Sequence, residues 1–320
     1  VPLAVFYFPE PPEVDDPVRK YRRLPDYELR RFSSDTLRAI RTAQAYQDSL
    51  YNLLGPSGTN RQICRELDRT GDVSVLAQAA RKYLGISLQQ QKRFQGIEGA
   101  FKAWRRAVED SGVFTFKDAL QDLFVSGFCL LDPVYPVIMV NNSNAFARQV
   151  FTLIHELGHI IFGVDGVTDV DDTYLGYMPK QERELEVACN RFAAEVLLPS
   201  EALDSELPRV RSHGVAGVEH IATRYSVSRE VVLRRCLDQG LVSPDEYRDT
   251  VEEWTRDYLR HRRRRQGGNY YLTKLSYLGQ GFTRVAFEQY GRGRLSKTEL
   301  AAHLNMNSRH VDKLQTYLWW

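Results

Sequence analysis

The chain has 320 residues, of which 43% are hydrophobic and 26% are charged. This ordinary globular mixture excludes a disordered, collagen-like or coiled-coil protein, and the length allows one large domain or several small ones. The formal net charge of +2 is close to zero, so it predicts no particular kind of partner.

The N-terminal part of the chain is predicted to be a linker followed by helices. Residues 8–17 are rich in proline and acidic residues, which is typical of an extended linker. Residues 33–35 can cap a helix that stops at the turn sequence of residues 55–58. A second helical stretch covers residues 73–84, directly before a glycine.

The pattern changes near residue 96, where strand-like runs begin to alternate with helical ones. A helix over residues 97–110 is followed by three short strand-like runs at 113–116, 127–131 and 136–140. Short strands beside helices predict an α+β protein that is mostly helical and has a small β-sheet.

Two strong helical patterns follow the strands. Ser143 and Asn144 are predicted to cap a helix over residues 145–162. A polar loop over residues 165–180 then leads to a helix over residues 181–198, which the next proline stops. The remainder of the chain is predicted to be helical and more basic.

The first of these two helices carries the sequence His-Glu-Leu-Gly-His, in which His155 and His159 are four residues apart. Residues at this spacing share one helix face, so both imidazoles can reach one metal ion. Glu156 points elsewhere and can act as a general base toward a water molecule. Chance produces the pattern in about 2% of such chains, and the alternative is a pair of core histidines.

A catalytic zinc ion needs three protein ligands and one open position, so a third ligand is expected. The next helix offers four glutamates, namely Glu182, Glu184, Glu186 and Glu195. Glu186 lies near the apolar face of that helix, where a carboxylate needs a compensating charge that zinc can supply. The alternative is that Glu186 is one surface acid among several.

These residues resemble the ImmA/IrrE family of metallo-endopeptidases. The motif at residues 155–159 is followed at residues 186–199 by Glu-x-x-Cys-Asn-x-Phe-Ala-Ala-x-x-Leu-Leu-Pro, and 27 residues separate His159 from Glu186. The likeness covers roughly residues 96–200, a mostly helical zincin-like domain with a small sheet, and this pair of motifs is specific.

The resemblance implies a role for each matching residue. His155, His159 and Glu186 would bind Zn²⁺, Glu156 would be the catalytic base, and Asn190 would brace the helix or the ligands. Tyr174 and Tyr177, in the loop between the two helices, are weaker candidates for substrate contact. Extended substrate is expected along the edge of the sheet at residues 137–141, by strand addition.

The resemblance also implies a protein substrate, because family members cleave a cognate helix-turn-helix repressor or antitoxin. Such cleavage relieves repression in a stress or mobile-element response. Longer members often carry a helix-turn-helix domain ahead of the proline-rich linker. No such pattern precedes residues 8–17 here, and the sequence starts with Val1.

We expect a linker and helical segment over residues 1–90, the metallopeptidase domain over residues 91–245 and a helical domain over residues 246–320. The last third contains two patterns that resemble a helix-turn-helix, at residues 221–235 and 295–314. In the second, a recognition helix would carry the polar side chains Ser308, Arg309, His310 and Lys313. The basic run at residues 260–265 could bind phosphate, although exposed linker charge is an equal alternative.

A second hypothesis comes from these helical patterns. The chain could be a non-proteolytic transcriptional regulator or sensor that uses a protease-like fold and binds DNA or a partner through its helical segments. Four widely spaced cysteines exclude a disulfide framework, and no apolar run approaches the roughly 18 residues of a membrane helix. Under either hypothesis we expect a cytoplasmic protein and no membrane partner.

Overall fold

The computed structural model describes residues 33–58, 62–67, 71–120, 125–164, 166–169, 179–261 and 268–318. The proline-rich linker at residues 8–17, Tyr174, Tyr177 and most of the basic run at residues 260–265 lie outside these described residues. Within the described part of the chain, no helix has both the length and the apolar surface that crossing a membrane requires.

Five helices precede the sheet among the described residues. They are α1 (Ser34–Leu54), α2 (Ile63–Glu66), α3 (Val73–Leu84), α4 (Leu88–Gln91) and α5 (Gly96–Asp110). The side chain of Ser33 accepts a hydrogen bond from the amide of Thr36 and caps α1. Asp72 caps α3 in the same way, and Gly85 ends it in the left-handed conformation.

The sheet has four strands in the order β1-β3-β2-β4 among the described residues. The strands are β1 (Phe114–Asp118), β2 (Val125–Leu130), β3 (Val137–Asn141) and β4 (Gly166–Asp169). β3 pairs in parallel with β1 and antiparallel with β2, and β4 pairs antiparallel with β2. β4 occupies part of the predicted polar loop. The predicted substrate edge at residues 137–141 is wrong, because β3 is hydrogen-bonded on both sides.

Helices make up most of the described chain after β3, so the predicted α+β class with a small sheet is confirmed. They are α6 (Phe146–Phe162), α7 (Lys180–Leu197), α8 (Ser200–His213), α9 (Val215–Tyr225), α10 (Arg229–Asp238), α11 (Pro244–His261), α12 (Tyr270–Leu278), α13 (Gln280–Gly291), α14 (Lys297–His303) and α15 (Val311–Gln315).

The prediction that Ser143 and Asn144 cap α6 is wrong. The N-cap residue is Ala145, and no side chain accepts a hydrogen bond at this end of the helix. The side chain of Asn141 instead accepts the amide of Ser143 at 2.9 Å and so shapes the turn before the helix. The backbone carbonyl of Asn144 accepts the side-chain amide of Gln149 at 2.7 Å.

Two hydrophobic cores lie on opposite faces of the sheet. The first surrounds α6 and includes Ile138, Val140, Leu153 and Leu157. The second combines the other face of the sheet with α1 and the helices after residue 268.

Three aromatic rings join the parts of the second core. Tyr46 of α1 stacks on Phe116 of β1 with ring centroids 4.2 Å apart. Both rings contact Phe282 of α13, at 5.4 and 5.2 Å. This core draws on all three predicted domains, whose boundaries remain a prediction.

The two helix-turn-helix patterns have different outcomes. α9 and α10 are joined by a three-residue turn, and Ser228 caps α10 by accepting the amide of Val231. In the second pattern, Ser308–His310 forms a 3-10 turn, and α15 has only five residues. The 3-10 turn runs directly into α15, so the predicted polar side chains lie on one short helical segment, and their contact with DNA stays a prediction.

Candidate metal centre

The helices α6 and α7 pack closely enough to bring their polar side chains together. Gly158 makes this approach possible, since a Cβ atom there would lie 3.1 Å from Cδ1 of Phe192 and 3.5 Å from Sγ of Cys189. A side chain at this position would therefore crowd the Phe192 ring. The requirement for glycine inside the His-Glu-Leu-Gly-His motif comes from this packing and was not predicted from the sequence.

The structure brings together His155, His159 and Glu186. The Nε2 atoms of the two imidazoles are 3.0 Å apart. The carboxylate of Glu186 reaches both, with Oε2 lying 3.2 Å from Nε2 of His155 and Oε1 lying 3.1 Å from Nε2 of His159. Both histidines are buried, and the Glu186 side chain is 14% exposed. Two helices thus supply three ligand-type side chains to one point.

This arrangement fits a zinc ion in its geometry and in its donor atoms. A tetrahedral zinc ion with bonds of about 2.0–2.1 Å holds its ligand atoms about 3.3 Å apart. The separations of 3.0–3.2 Å between the three groups are close to that value. Two histidines and one glutamate are also a donor set of catalytic zinc sites. Within the described residues, these three side chains are the cluster able to hold a metal ion.

Electrostatic coupling links the three groups in the metal-free protein. Burial by itself lowers the pKa of His159, but the neighbouring Glu186 carboxylate outweighs it, and the pKa is raised well above its ordinary value. Burial opposes ionisation of Glu186, yet His159 and His155 hold the pKa of this carboxyl well below its usual range. Burial raises the pKa of the Cys189 thiol, which favours its neutral form. The metal-free site therefore holds a buried carboxylate beside a protonated imidazole.

Glu156 and Asn190 flank the cluster. Glu156 follows His155 on α6 and is fully buried. Asn190 lies one helical turn beyond Glu186 on α7 and is half-buried. Tyr174 and Tyr177 lie outside the described residues, so the structure does not relate them to the cluster.

Two other glutamates of α7 have structural partners. Glu184 is exposed and lies 3.8 Å from Lys180 in a surface ion pair. Glu195 is buried and accepts hydrogen bonds from Nη1 of Arg235 at 2.7 Å and from Oγ of Ser200 at 2.6 Å. The contact between Glu195 and Arg235 fixes the end of α7 to α10.

A second buried network holds the same end of α7. Arg81 of α3 donates to the carbonyl of Val196 and to Oε1 of Gln91. The side-chain amide of Gln91 donates to the carbonyls of Leu197 and Tyr225, both at 2.8 Å. These bonds satisfy carbonyls that the last turn of a helix leaves without internal partners. The sequence gives no sign of these pairings, because the partners are far apart along the chain.

The described site can be compared with known proteins. The sequence profile of the family described as the IrrE N-terminal-like domain matches residues 108–237, which include both helices of the cluster. The chain is 36% identical over 110 residues to a protein named radiation response metalloprotease IrrE from Deinococcus radiodurans. These residues are 34% of this chain and 33% of that protein.

A protein of the same name from Deinococcus deserti is 38% identical over 99 residues, which are 30% of this chain and 34% of the relative. The chain thus spans about a third of the length of the curated relatives it matches. The region that the family profile matches contains the four strands, the His-Glu-Leu-Gly-His helix and the helix of Glu186. Over residues 108–237, the chain is similar to the IrrE N-terminal-like domain and, in part of its length, to two proteins named as metalloproteases.

Proposed function

We propose that the protein is a zinc-dependent endopeptidase. The observation that carries this proposal is the convergence of His155, His159 and Glu186 on one point from two helices. In the proposal, these three side chains bind Zn²⁺ and Glu156 is the general base. The similarity of residues 108–237 to the IrrE N-terminal-like domain supports the assignment of a metalloprotease.

The proposed reaction divides the chemistry between the metal and the chain. When bound, zinc acts as a Lewis acid toward the peptide carbonyl and lowers the pKa of water. Glu156 takes one proton from the attacking water and delivers it to the nitrogen of the leaving amine. The water oxygen bonds to the carbonyl carbon as the carbon–nitrogen bond breaks. The products are one peptide with a new carboxylate and one with a new amine.

We further propose that the substrate is a helix-turn-helix repressor or antitoxin, whose cleavage would relieve repression in a stress or mobile-element response. This substrate class rests on the resemblance to the family. It predicts that the zinc-loaded chain cuts proteins of this class at one or a few bonds, instead of degrading unfolded proteins in general.

Zinc content tests the ligand assignment. We expect about one zinc ion per chain in dialysed wild-type protein, and loss of more than roughly 100-fold in zinc affinity in Glu186→Ala, because a ligand matters more than its supporting groups. Glu184→Ala is the matched control, since it removes an exposed glutamate of the same helix and should retain zinc. Absence of zinc in the wild type, even with excess metal, would contradict the proposal of a zinc-dependent enzyme. It would favour the hypothesis of a non-proteolytic regulator.

Cleavage tests the role of Glu156. Glu156→Gln should keep the wild-type zinc content and lose cleavage by about 10²–10⁴-fold, the usual contribution of a general base. A library of peptides read by mass spectrometry supplies substrates without assuming their identity, and purified helix-turn-helix repressors test the substrate class. A Glu156→Gln protein that cuts as fast as the wild type would disprove the mechanism.

A further inference from the structure

A cluster of aromatic and cationic side chains lies outside the family-matched domain, where α12 meets the C-terminal turn and α15. We call it the aromatic–basic face and define it by Tyr270, Tyr271, His310, Lys313 and Tyr317. The metal centre uses none of these residues. The helix-turn-helix prediction placed two of them, His310 and Lys313, on a recognition helix; in the structure His310 ends a 3-10 turn and Lys313 lies in α15.

The rings of this face contact one another in several orientations. Tyr271 and Tyr317 stack with centroids 5.4 Å apart and planes inclined by 9°. The ring of Tyr270 meets that of Tyr271 edge-on, with centroids 5.3 Å apart. It is tilted against the ring of His310, with centroids 5.4 Å apart. The Tyr270 side chain nevertheless remains 50% exposed, so part of this large ring faces solvent.

Cations border the rings. Nζ of Lys313 lies 5.2 Å from the centroid of the Tyr271 ring. Arg309 is exposed, and its Nε donates to Nε2 of His310 at 3.0 Å. The orientation of Lys313 over a ring, beside an exposed arginine, places positive charge along the edge of the aromatic surface.

The surrounding sequence carries a surplus of positive charge that the whole chain lacks. Residues 268–318 contain seven Lys and Arg against three Asp and Glu, whereas the chain has 43 against 41. Two of the three acids already have partners. Glu299 accepts the amide of Ser296 at 2.7 Å, and Asp312 pairs with Lys297 at 2.6 Å. The aromatic–basic face therefore belongs to a segment with a formal net charge of 7 − 3 = +4.

We propose that the aromatic–basic face binds single-stranded nucleic acid. Unpaired bases stack on exposed aromatic rings, and neighbouring cations neutralise the phosphates that connect those bases. A duplex hides the faces of its bases, so exposed rings cannot stack on them. An acidic peptide would use the cations and leave the rings without a role. Rings beside cations thus favour a single strand, with little preference for sequence.

Fluorescence anisotropy with the full chain tests this proposal. The probes are labelled fifteen-nucleotide oligomers of deoxythymidine and of uridine, together with a duplex of the same length. We expect both single strands to bind more tightly than the duplex at low salt. The DNA and RNA probes separate the two sources of the same chemistry, because a site that reads rings and phosphates accepts either.

Variants of the face give the decisive readouts. Tyr270→Ala should weaken single-strand binding at least about five-fold, whereas Tyr270→Phe keeps the ring and should bind like the wild type. Lys313→Ala should lower the slope of log affinity against log salt by about 0.7, the value for one phosphate contact on a single strand. Lys102→Ala is the control, because it removes another exposed lysine, on α5. It should leave that slope unchanged.

Three outcomes would overturn the proposal. They are the absence of single-strand binding at low salt, tighter binding of the duplex, and unchanged affinity in Tyr270→Ala. Circular dichroism of each variant verifies that the fold is retained, and Tyr270→Phe distinguishes a lost ring from a disturbed helix. None of these readouts depends on zinc or on proteolysis, so the result is independent of the proposed peptidase activity.

Discussion

The Oε1 atom of Glu186 lies 3.1 Å from Nε2 of His159, although the two residues belong to different helices. In the metal-free protein this contact joins a buried carboxylate to a protonated imidazole. The contact holds the two halves of the proposed ligand set together before any metal arrives. The ion pair and the metal compete for the same atoms, because zinc binds only the neutral imidazole.

The first prediction concerns the pH dependence of the metal-free protein. The pKa of Glu186 is lowered on folding, so its contribution to stability is present above its ordinary value of 4.5 and is lost as pH falls through the lowered pKa. The pKa of His159 is raised, so its contribution is fully present below 6.5 and is lost as pH rises through the raised pKa. The pair should stabilise the chain most between these two values.

Thermal unfolding with a chelator present, from pH 4 to pH 9, measures this effect. Glu186→Gln is the control, because it removes the charge that raises the pKa of His159. The wild type should lose stability relative to Glu186→Gln as the solution becomes alkaline. Parallel curves for the two proteins over the whole range would show that the pair does not contribute.

The second prediction concerns the contact between α6 and α7. Gly158→Ala places a Cβ atom 3.1 Å from the Phe192 ring, so the ring or its helix must shift by a few tenths of an ångström. Such overpacking costs about 1–3 kcal/mol in the free energy of unfolding. Zinc affinity should fall as well, because His155 and Glu186 then move apart. Chemical denaturation and zinc titration measure the two effects.

Gly99→Ala is the matched control for this substitution. Gly99 is also a helix-interior glycine, and its nearest contact would be at an ordinary 3.5 Å. Alanine there should stabilise α5 by roughly 0.5–1 kcal/mol through helix propensity. Stabilisation by both substitutions would mean that the helices are not in close contact at Gly158.

The third prediction concerns the buried ion pair of Glu195 and Arg235. Their side chains are 5% and 7% exposed, so Glu195→Gln leaves a buried arginine without its counter-charge. We expect a loss of about 3–5 kcal/mol in the free energy of unfolding. Glu219→Gln is the control, since Glu219 lies 2.8 Å from Arg229 but both side chains are more than 40% exposed. That loss should stay below about 1 kcal/mol, and equal losses in urea unfolding would contradict this explanation.

The fourth prediction concerns the junction between α5 and the C-terminal helices. Gly279 has φ of +82°, and a Cβ atom there would lie 2.4 Å from Oε1 of Glu109 and 2.8 Å from the carbonyl of Thr115. Gly279→Ala should therefore cost about 2 kcal/mol more than Gly85→Ala, because Gly85 also has positive φ but open space around it. Thermal unfolding of the two variants compares them, and similar losses would show that the junction tolerates a side chain.

Local signals explain which elements could be predicted from the sequence. The helix at residues 73–84 was predicted with its observed ends, because Asp72 and Gly85 act on their nearest neighbours. β4 was missed, since four residues in a polar stretch gain their strand conformation from pairing with β2. The strand β3 was predicted, but its place between two other strands was missed. Its parallel pairing with β1, earlier in the chain, leaves no local signal in the sequence.

The candidate site divides in the same way. The spacing of the two histidines fixes their common face, so their proximity followed from helix geometry. The approach of Glu186 depended on a contact between two helices and was inferred from charge and from the family resemblance. Cys189 and Gly158 were not recognised, although a glycine inside a helix and a cysteine three residues after a proposed ligand were visible signals. The cytoplasmic location remains a prediction.

The shared second core has a consequence for the order of folding during synthesis. Tyr46 of α1 packs on Phe282 of α13, so the first described helix acquires its apolar cover from a segment that is synthesised 236 residues later (282 − 46). Until then, the rings of Tyr46 and Phe116 are exposed on one side of the sheet. Such late, long-range closure slows folding and prolongs the exposure of apolar surface to aggregation. Chaperone demand during synthesis should therefore end only when α13 has emerged.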